Sequence, residues 1–420
     1  MTRPTALDPV MPVRARPNWR HARWIGVLDL DDEAYAGGGG VEFIARQSQG
    51  YRHARVLVRH AQRPLAFVEA PIVDGRVNVS VRPERPDVPA TEPEMPPISV
   101  VVCTRDRPDQ LTDALKSVLL LDYPDFEVVV VDNAARTAAT ADVVTQLGDA
   151  RVRRIAEPIP GLSVARNTGL RSARHDIVAF TDDDVVVDRG WLRGLAHGFD
   201  RDPQITCVSG LVPTGELRTA AQAYFDQRVS WAGSLEPRVY RMSDPPEDQP
   251  LFPFQVGRFG TGANFAVRRK RVLELGGFDH ALGAGTPAQG GEDLDMFFRV
   301  LTQGDALATE PSAIVWHRHR SDSDALLSQA RGYGRGLGAW LTKVALDPQH
   351  RRLAGRVIRR ALVASVRFGM DYGSHVATPE PLRGEVPPAV GRTEVLAVLG
   401  GPRALWQGRR NGRAQRGTRP

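Results

Sequence analysis

The sequence predicts an α/β protein built on a mostly parallel sheet with helices on both faces, preceded by a small β-rich N-terminal module and followed by a helical, basic C-terminal region. Three observations lead there. Apolar runs such as Ile98–Thr104 (ISVVVCT) and Phe126–Asp132 (FEVVVVD) alternate with amphipathic stretches, the pattern of strands buried on both sides and joined by helices. Upstream of them, short β-branched runs broken by turn residues take over. Downstream, arginine accumulates: residues 351–420 hold 14 Arg against Asp371, Glu380, Glu385 and Glu394, a net of +10 in a chain of total charge +6.

Taken in order, residues 54–60 (ARVLVRH), 64–73 (PLAFVEAPIV) and 75–81 (GRVNVSV) read as strands, the last two joined by the Asp74-Gly75 turn. They form a module over residues 1–81 with no chemical motif. Gly37–Gly40 is a loop rather than a phosphate cradle, because no strand-turn-helix frame surrounds it. Residues 82–97 contain six prolines and read as a linker. The main domain, 98–320, begins with a strand at 98–104 and a helix at 109–121, where Leu111, Ala114, Val118 and Leu121 recur at helical spacing. A second strand at 126–132 precedes an Ala-rich helix at 138–147. Strands at 151–156, 176–181 and 205–212 follow, with helices at 163–173 and 190–199 between them. Residues 219–233 read as helical, and the Pro-rich, acidic stretch 243–253 as a loop. A helical region is expected over 321–403, and a disordered basic tail over 404–420.

At 420 residues, 42% hydrophobic and 25% charged, the composition is that of a soluble globular protein. The first 350 residues carry a net −4, so a uniformly basic nucleic-acid binder is excluded and no nucleic-acid partner is expected. Two cysteines, Cys103 and Cys207, without CxxC spacing, fit a reducing compartment. The N-terminus lacks the apolar core of a signal peptide, and no window reaches the roughly 18 apolar residues of a spanning helix. The expected location is cytoplasmic. On a helix over 351–370, Leu353, Val357, Ile358, Ala361, Leu362, Ala364 and Phe368 fall on one half and Arg352, Arg356, Arg359, Arg360 and Arg367 on the other. That pattern suits either packing on the main domain or contact with an anionic membrane at the inner face of the cell membrane.

Three strands end in polar residues: Thr104-Arg105-Asp106, Asp132-Asn133 and Asp182-Asp183-Asp184. In such a sheet the carboxyl ends of the strands share one mouth. Three adjacent carboxylates repel one another unless a cation or hydrogen-bond donors compensate, and a hard divalent metal bridging to substrate phosphates is the natural compensator. The alternative is a solvated acidic turn. Glu292, Asp293 and Asp295 open a further helix, where first-turn acids add only about 0.3–1 kcal/mol each through the dipole. The Gly290-Gly291 turn before them permits close approach to a substrate. Gly161-Leu-Ser-Val-Ala-Arg166-Asn167 opens another helix, at which backbone N–H groups and Arg166 could meet a diphosphate.

The segments ISVVVCTRDRP (98–108), VVVVDNA (128–134), GLSVARNTGL (161–170), FTDDDV (180–185), GTGANFAVRR (260–269) and GGEDLDMFFR (290–299) follow one another as in family 2 glycosyltransferases, which the sequence resembles over about residues 98–320. The resemblance implies an inverting enzyme with a GT-A (Rossmann-like) fold, a nucleotide-diphosphate sugar donor and a hydroxyl-bearing acceptor. It implies that Asp132 accepts hydrogen bonds from the base while Thr104, Arg105 and Asp106 line the same pocket, where many relatives have Asn in place of Asp106. Asp182 and Asp183 belong to the donor-nucleotide site with Arg166. Asp184, Asp182 and His317 would hold Mn2+ or Mg2+, with His319 as the competing histidine. Asp293 is the implied base, with Glu292 the lesser candidate and a partner for acceptor hydroxyls. Gly262, Ala263, Asn264 and Asp295 fall in the acceptor and sugar pocket. Trp316 reads as core or as a sugar contact.

The expected function is therefore metal-dependent sugar transfer in cell-envelope glycan, glycolipid or natural-product biosynthesis. Two rivals share parts of the pattern. A DxD-type Mg-dependent phosphatase would need the DDD triplet on an early strand and a later lysine. A nucleotide-sugar-binding protein with degenerate catalysis would not need DDD, the Glu-Asp pair and His317 together.

Overall fold

The computed structural model describes residues 5–30, 39–80, 94–229, 232–368, 382, 386–387 and 390–417. Most of the Pro-rich linker and part of the Gly37–Gly40 run lie outside them. The N-terminal module is a 6-stranded sheet in the order β1-β3-β6-β5-β4-β2, made of β1 (Thr5–Leu7), β2 (Arg23–Leu30), β3 (Gly40–Ala45), β4 (His53–His60), β5 (Arg63–Val73) and β6 (Arg76–Ser80). In β6 the strand period puts Val77 and Val79 inside and Arg76, Asn78 and Ser80 outside. The module docks on the main domain through an apolar cluster in which Ile25 and Leu57 join Leu217, Phe225 and Trp316, and through ion pairs: Arg59 reaches Asp188 at 2.7 Å and Arg55 reaches Asp226 at 2.6 Å.

The main domain contains a 9-stranded sheet: β7 (Ile98–Thr104), β8 (Phe126–Asn133), β9 (Val152–Glu157), β10 (Ile177–Thr181), β11 (Val185–Val187), β12 (Ile205–Leu211), β13 (Arg238–Tyr240), β14 (Asn264–Arg268) and β15 (Ala306–His317). Its order is β11-β15-β12-β14-β10-β7-β8-β9, with β13 added on β15. Strands β9, β8, β7 and β10 are mutually parallel, and β14 runs antiparallel between β10 and β12. Every residue of β8 is buried, as a strand covered on both faces requires.

The period of two divides the strand valines between two cores. Val100, Val102, Val128 and Val130 pack with Leu111, Leu115 and Val118 of α1 (Pro108–Leu119), Val143 of α2 (Ala139–Leu147) and Trp191 of α4 (Trp191–Asp200). Val101, Val129 and Val131 face the other way, onto Ala165 and Leu170 of α3 (Leu162–Ser172) and Met296, Phe297 and Phe298 of α7 (Glu292–Thr302). The short helices α5 (Ala220–Arg228) and α6 (Arg269–Glu274) complete this domain.

Among the described residues four helices follow: α8 (Ser323–Leu346), α9 (Pro348–Phe368), α10 (Val390–Val398) and α11 (Gly401–Gly417). The tail expected to be disordered from residue 404 is thus helical as far as Gly417. Its Arg count hides Ala404 and Leu405, which are buried against Ala281, Leu282 and Ala339. In α9, Val357 is buried and Leu353 packs against the core, whereas Ile358 is 54% exposed. Among the described residues no helix is long and apolar enough to cross a membrane.

Candidate active site

The order of the sheet explains why the acidic triplet meets a histidine distant in sequence. Asp182–Asp184 leave the central strand β10 and lead at once into β11, whose Val185 stands opposite His317 in the antiparallel pairing with β15. Asp184 Oδ1 therefore lies 3.4 Å from His317 Nε2. Ligand atoms of Asp182, Asp184 and His317 lie within 4.8 Å of one another. Two carboxylates and an imidazole at this separation suit a divalent cation that accepts oxygen and nitrogen ligands.

Asp184 is the firm anion of the group. Burial raises its carboxyl, but His317, Arg107 and Arg320 outweigh that and hold it well below the usual range. Asp182 is instead pushed up to about 6 by enclosure and by the neighbouring carboxylates, against the pull of Arg166. His319 does not compete for the cation. It is 3% exposed, lies against Phe225 with ring centroids 4.4 Å apart, and meets His317 through their Nδ1 atoms at 2.9 Å. Burial and the neighbouring His317 lower its pKa well below the ordinary value, so neutral His319 can accept a hydrogen bond from the Nδ1–H of His317. That fixes the His317 ring with Nε2 toward Asp184, as a partner behind a ligating imidazole does. Trp316, 2% exposed, belongs to the core.

Asp183 turns from this group. Its carboxylate accepts from Thr104 Oγ1 at 2.7 Å and from Arg107 Nη1 at 3.0 Å. Thr104 and Asp183 thus hold each other at the strand ends, and Arg107, which sequence reasoning passed over, screens both Asp183 and Asp184. Asp132 is 1% exposed. Its Oδ2 takes Arg154, and its Oδ1 is a buried acceptor with no partner, which leaves it available to a donor. Asp106 binds Arg136 through the backbone N–H at 2.9 Å and Nε at 2.8 Å, while Arg105 is exposed beside it.

The second group forms around the start of α7. Gly291, at φ 88°, turns the chain so that Glu292 and Asp293 enter the same cavity, and a Cβ there would collide with the Gly336 carbonyl of α8. Asp293 is fixed by two backbone donors: the Gly262 N–H gives to Oδ2 and the Leu294 N–H to Oδ1, both at 2.8 Å. Glu292 is 5% exposed and meets Arg166 Nη1 at 2.9 Å. Burial, then the charge of Asp293, pushes the Glu292 carboxyl up to about 7 in spite of Arg166.

Arg166 ties the two acidic groups together. Only 2% exposed, it gives to the Gly262 carbonyl at 2.8 Å and lies 3.6 Å from Asp182. A side chain on Gly262 would strike its guanidinium. Ala263 is held over β10 by Thr181 Oγ1, which gives to its carbonyl at 2.9 Å. A cavity of about 600 Å³ is lined by Asp182, Arg166, Gly262, Ala263, Glu292, Asp293 and His317 together.

Two residues expected in the acceptor pocket are elsewhere. The Asn264 side chain is 0% exposed and is used up in bracing strands: it accepts from Trp191 Nε1 and gives to the carbonyls of Leu211 and Ala313. Asp295 is 2% exposed and turns to Arg299 at 2.8 Å and to Lys343 of α8 at 2.7 Å. It stands two positions after Asp293, about 200° around the helix, so the two carboxylates cannot share a face. The cavity also takes Tyr333, Leu337 and Glu394 from α8 and α10. None of these carries a motif, and only the packing of the C-terminal helices brings them there.

Part of the chain is similar to known proteins. The profile described as glycosyl transferase family 2 matches residues 99–276, a stretch that holds Thr104, Asp132, Arg166, the acidic triplet and Gly262. A pre-mycofactocin glycosyltransferase of Mycobacterium tuberculosis is 27% identical over 249 residues, 59% of this chain and 48% of that protein. A succinoglycan biosynthesis protein of Rhizobium meliloti is 29% identical over 224 residues, 52% of this chain and 65% of that protein. The chain thus spans about half the length of the first of these relatives. Among solved structures, a mannosyltransferase from Pyrobaculum calidifontis in complex with GDP-Man and Mn2+ aligns with a TM-score of 0.49 at 20% identity, over 76% of this chain and 91% of that one. The family 2 match thus runs over residues 99–276, through the strand-end residues that build the mouth.

Proposed function

We propose that the protein transfers a sugar from a nucleotide-diphosphate sugar to an acceptor hydroxyl, with inversion. One observation carries this reading: the carboxylate of Asp293, clamped by two backbone N–H groups, opens into the cavity that also opens on Asp182 and His317. A base held in place beside a cation site is the arrangement a single displacement needs. The acceptor oxygen gives its proton to Asp293 and bonds to the anomeric carbon as that carbon's bond to the diphosphate oxygen breaks. Asp182, Asp184 and His317 would hold Mn2+ or Mg2+, which when bound offsets the negative charge gathering on the departing diphosphate. Arg166 keeps the two acidic groups at a fixed separation, because its guanidinium is committed to Glu292 and Gly262 rather than free to swing out. Asp132 Oδ1 stands ready for an N–H of the base. Similarity to a pre-mycofactocin glycosyltransferase and to a succinoglycan biosynthesis protein supports glycan, glycolipid or natural-product synthesis as the setting.

The test is incubation with UDP-, GDP- and dTDP-sugars and Mn2+. Release of nucleoside diphosphate from at least one of them is expected. Phosphate released from phosphomonoesters, with no donor cleaved, would instead make the protein a phosphatase.

We also propose peripheral contact with an anionic membrane, at the cytoplasmic face, through the outer side of α9. Arg352, Arg356 and Arg359 are exposed there, while Leu353 and Val357 are turned to the protein. The attraction is thus mainly electrostatic, about 1 kcal/mol for each arginine near the surface. Replacing all three by Gln is expected to reduce co-sedimentation with phosphatidylglycerol vesicles by at least tenfold at low salt. Sedimentation equal to wild type would remove the membrane from the proposal.

A further inference from the structure

A transferase acting on a hydroxyl leaves open what carries that hydroxyl, and the remaining walls of the cavity bear on it. Apart from the acids and Arg166, they are largely apolar: Phe254, Val256, Val229, Leu294, Leu337 and the ring of Tyr333. Phe254, Leu294 and Leu337 are only partly covered by the core they rest on. Phe254 is held in place by Phe298 and Trp340, at centroid distances of 5.1 and 6.3 Å. Tyr333 is 37% exposed while it lines the cavity, and its ring packs on Phe225 at a centroid distance of 5.8 Å.

The charges along these walls are mostly spent on one another. Arg228 and Glu394 pair at 2.9 Å, and Glu292 pairs with Arg166. A fixed apolar surface beside a carboxylate that must receive a hydroxyl selects a molecule with both features. Resting on the transferase reading, we propose that the acceptor is an alcohol borne on an apolar aryl or alkyl body, its hydroxyl at Asp293 and its body on Tyr333, Leu337 and Phe254. Tyr333 and Leu337 belong to α8, beyond the family-matched residues 99–276. Selection of the acceptor therefore draws on the C-terminal helices together with Phe254, whereas the donor and cation residues lie mainly in the matched domain.

The probes are methyl and n-octyl β-D-glucoside, titrated into the full chain below the micellar concentration and followed by saturation-transfer NMR. Burial of two methylenes alone gives about 15-fold in affinity, so the octyl compound is expected to bind at least tenfold more tightly, with saturation passing to its alkyl protons. Leu337→Asn and Tyr333→Ala are expected to bring the preference down to threefold or less, while Leu346→Asn, at an exposed position of the same helix, leaves it intact. Thermal melts of the variants show that the fold is retained. Equal binding of the two glycosides by wild type, or an octyl preference that survives in a folded Leu337→Asn protein, overturns the acceptor assignment. Donor cleavage by the same preparation is scored separately, and its absence for every nucleotide sugar overturns the transferase reading itself.

Discussion

Asp293→Asn is expected to lower the kcat of sugar transfer by roughly 10²- to 10⁴-fold, the range that a positioned general base contributes, with donor affinity largely retained. The geometry makes this substitution informative. Both carboxylate oxygens of Asp293 accept backbone N–H groups, from Gly262 and from Leu294. An amide keeps the shape but offers one oxygen, so one donor loses its acceptor at a stability cost of about 1 kcal/mol. Activity should therefore fall far more than stability, and single-turnover kinetics beside a thermal melt would separate them.

Glu292→Gln supplies the contrast. Its carboxyl, pushed up to about 7 by burial and by Asp293, is committed to Arg166, so it serves that arginine rather than the acceptor proton. A smaller loss of kcat is expected, about tenfold. A raised carboxyl binds its proton more tightly in the folded chain than in the unfolded one. Its contribution to stability is complete below pH 4.5 and is lost as pH rises through about 7. The Gln variant should lack that part of the decline in melting temperature. If Asp293→Asn retained wild-type kcat while Glu292→Gln lost it, the two roles would have to be exchanged.

These assignments differ in how far the sequence could carry them. The acidic triplet, the Glu-Asp pair and the strand-end residues were legible because each sits where a strand period stops or a helix begins, and those points define the mouth. His317 is placed by the pairing of β11 with β15, a register that no local pattern encodes. Asn264 is assigned to the pocket by the family resemblance of the segment Gly260–Asn264. Yet it begins β14, and its amide is surrounded by Trp191 and two carbonyls. Asp295 could have been excluded from helix geometry alone, and its i+4 partner Arg299 was in view. Tyr333 and Leu337 were out of reach for another reason. The helical region expected over 321–403 contains glycine at 332, 334, 336 and 338, and no local pattern says which face of it meets the site. In helix α8, Gly336 lets the chain press against the Gly290-Gly291 turn, and only that tertiary contact makes glycine an advantage there.

Asp184→Ala is expected to abolish cation-dependent binding of the donor nucleotide, read by calorimetry with UDP, GDP or dTDP in the presence and absence of Mn2+. The reason lies in how the charge is shared. Of the three residues whose atoms converge, Asp182 is pushed up to about 6 and so carries its full negative charge only above that range, and His317 contributes none. Asp184 is held anionic by His317, Arg107 and Arg320 across the working range of pH. Removing it takes away the dependable half of the negative charge that a divalent ion needs. The fold should tolerate the loss. Deleting Asp184 gives up its attraction to His317, Arg107 and Arg320 but also relieves the repulsion that raises Asp182 and Asp183, so the two effects oppose each other in stability. Asp184→Asn, which keeps the volume and drops the charge, should lose nucleotide binding in the same way, and EDTA should bring wild type down to the level of both variants. A native-like melting temperature together with lost cation response is the expected signature, since a structural acid would give the reverse. Undiminished Mn2+-dependent nucleotide binding by Asp184→Ala would move the cation elsewhere and leave the triplet as a braced turn, held by Arg107 and Thr104.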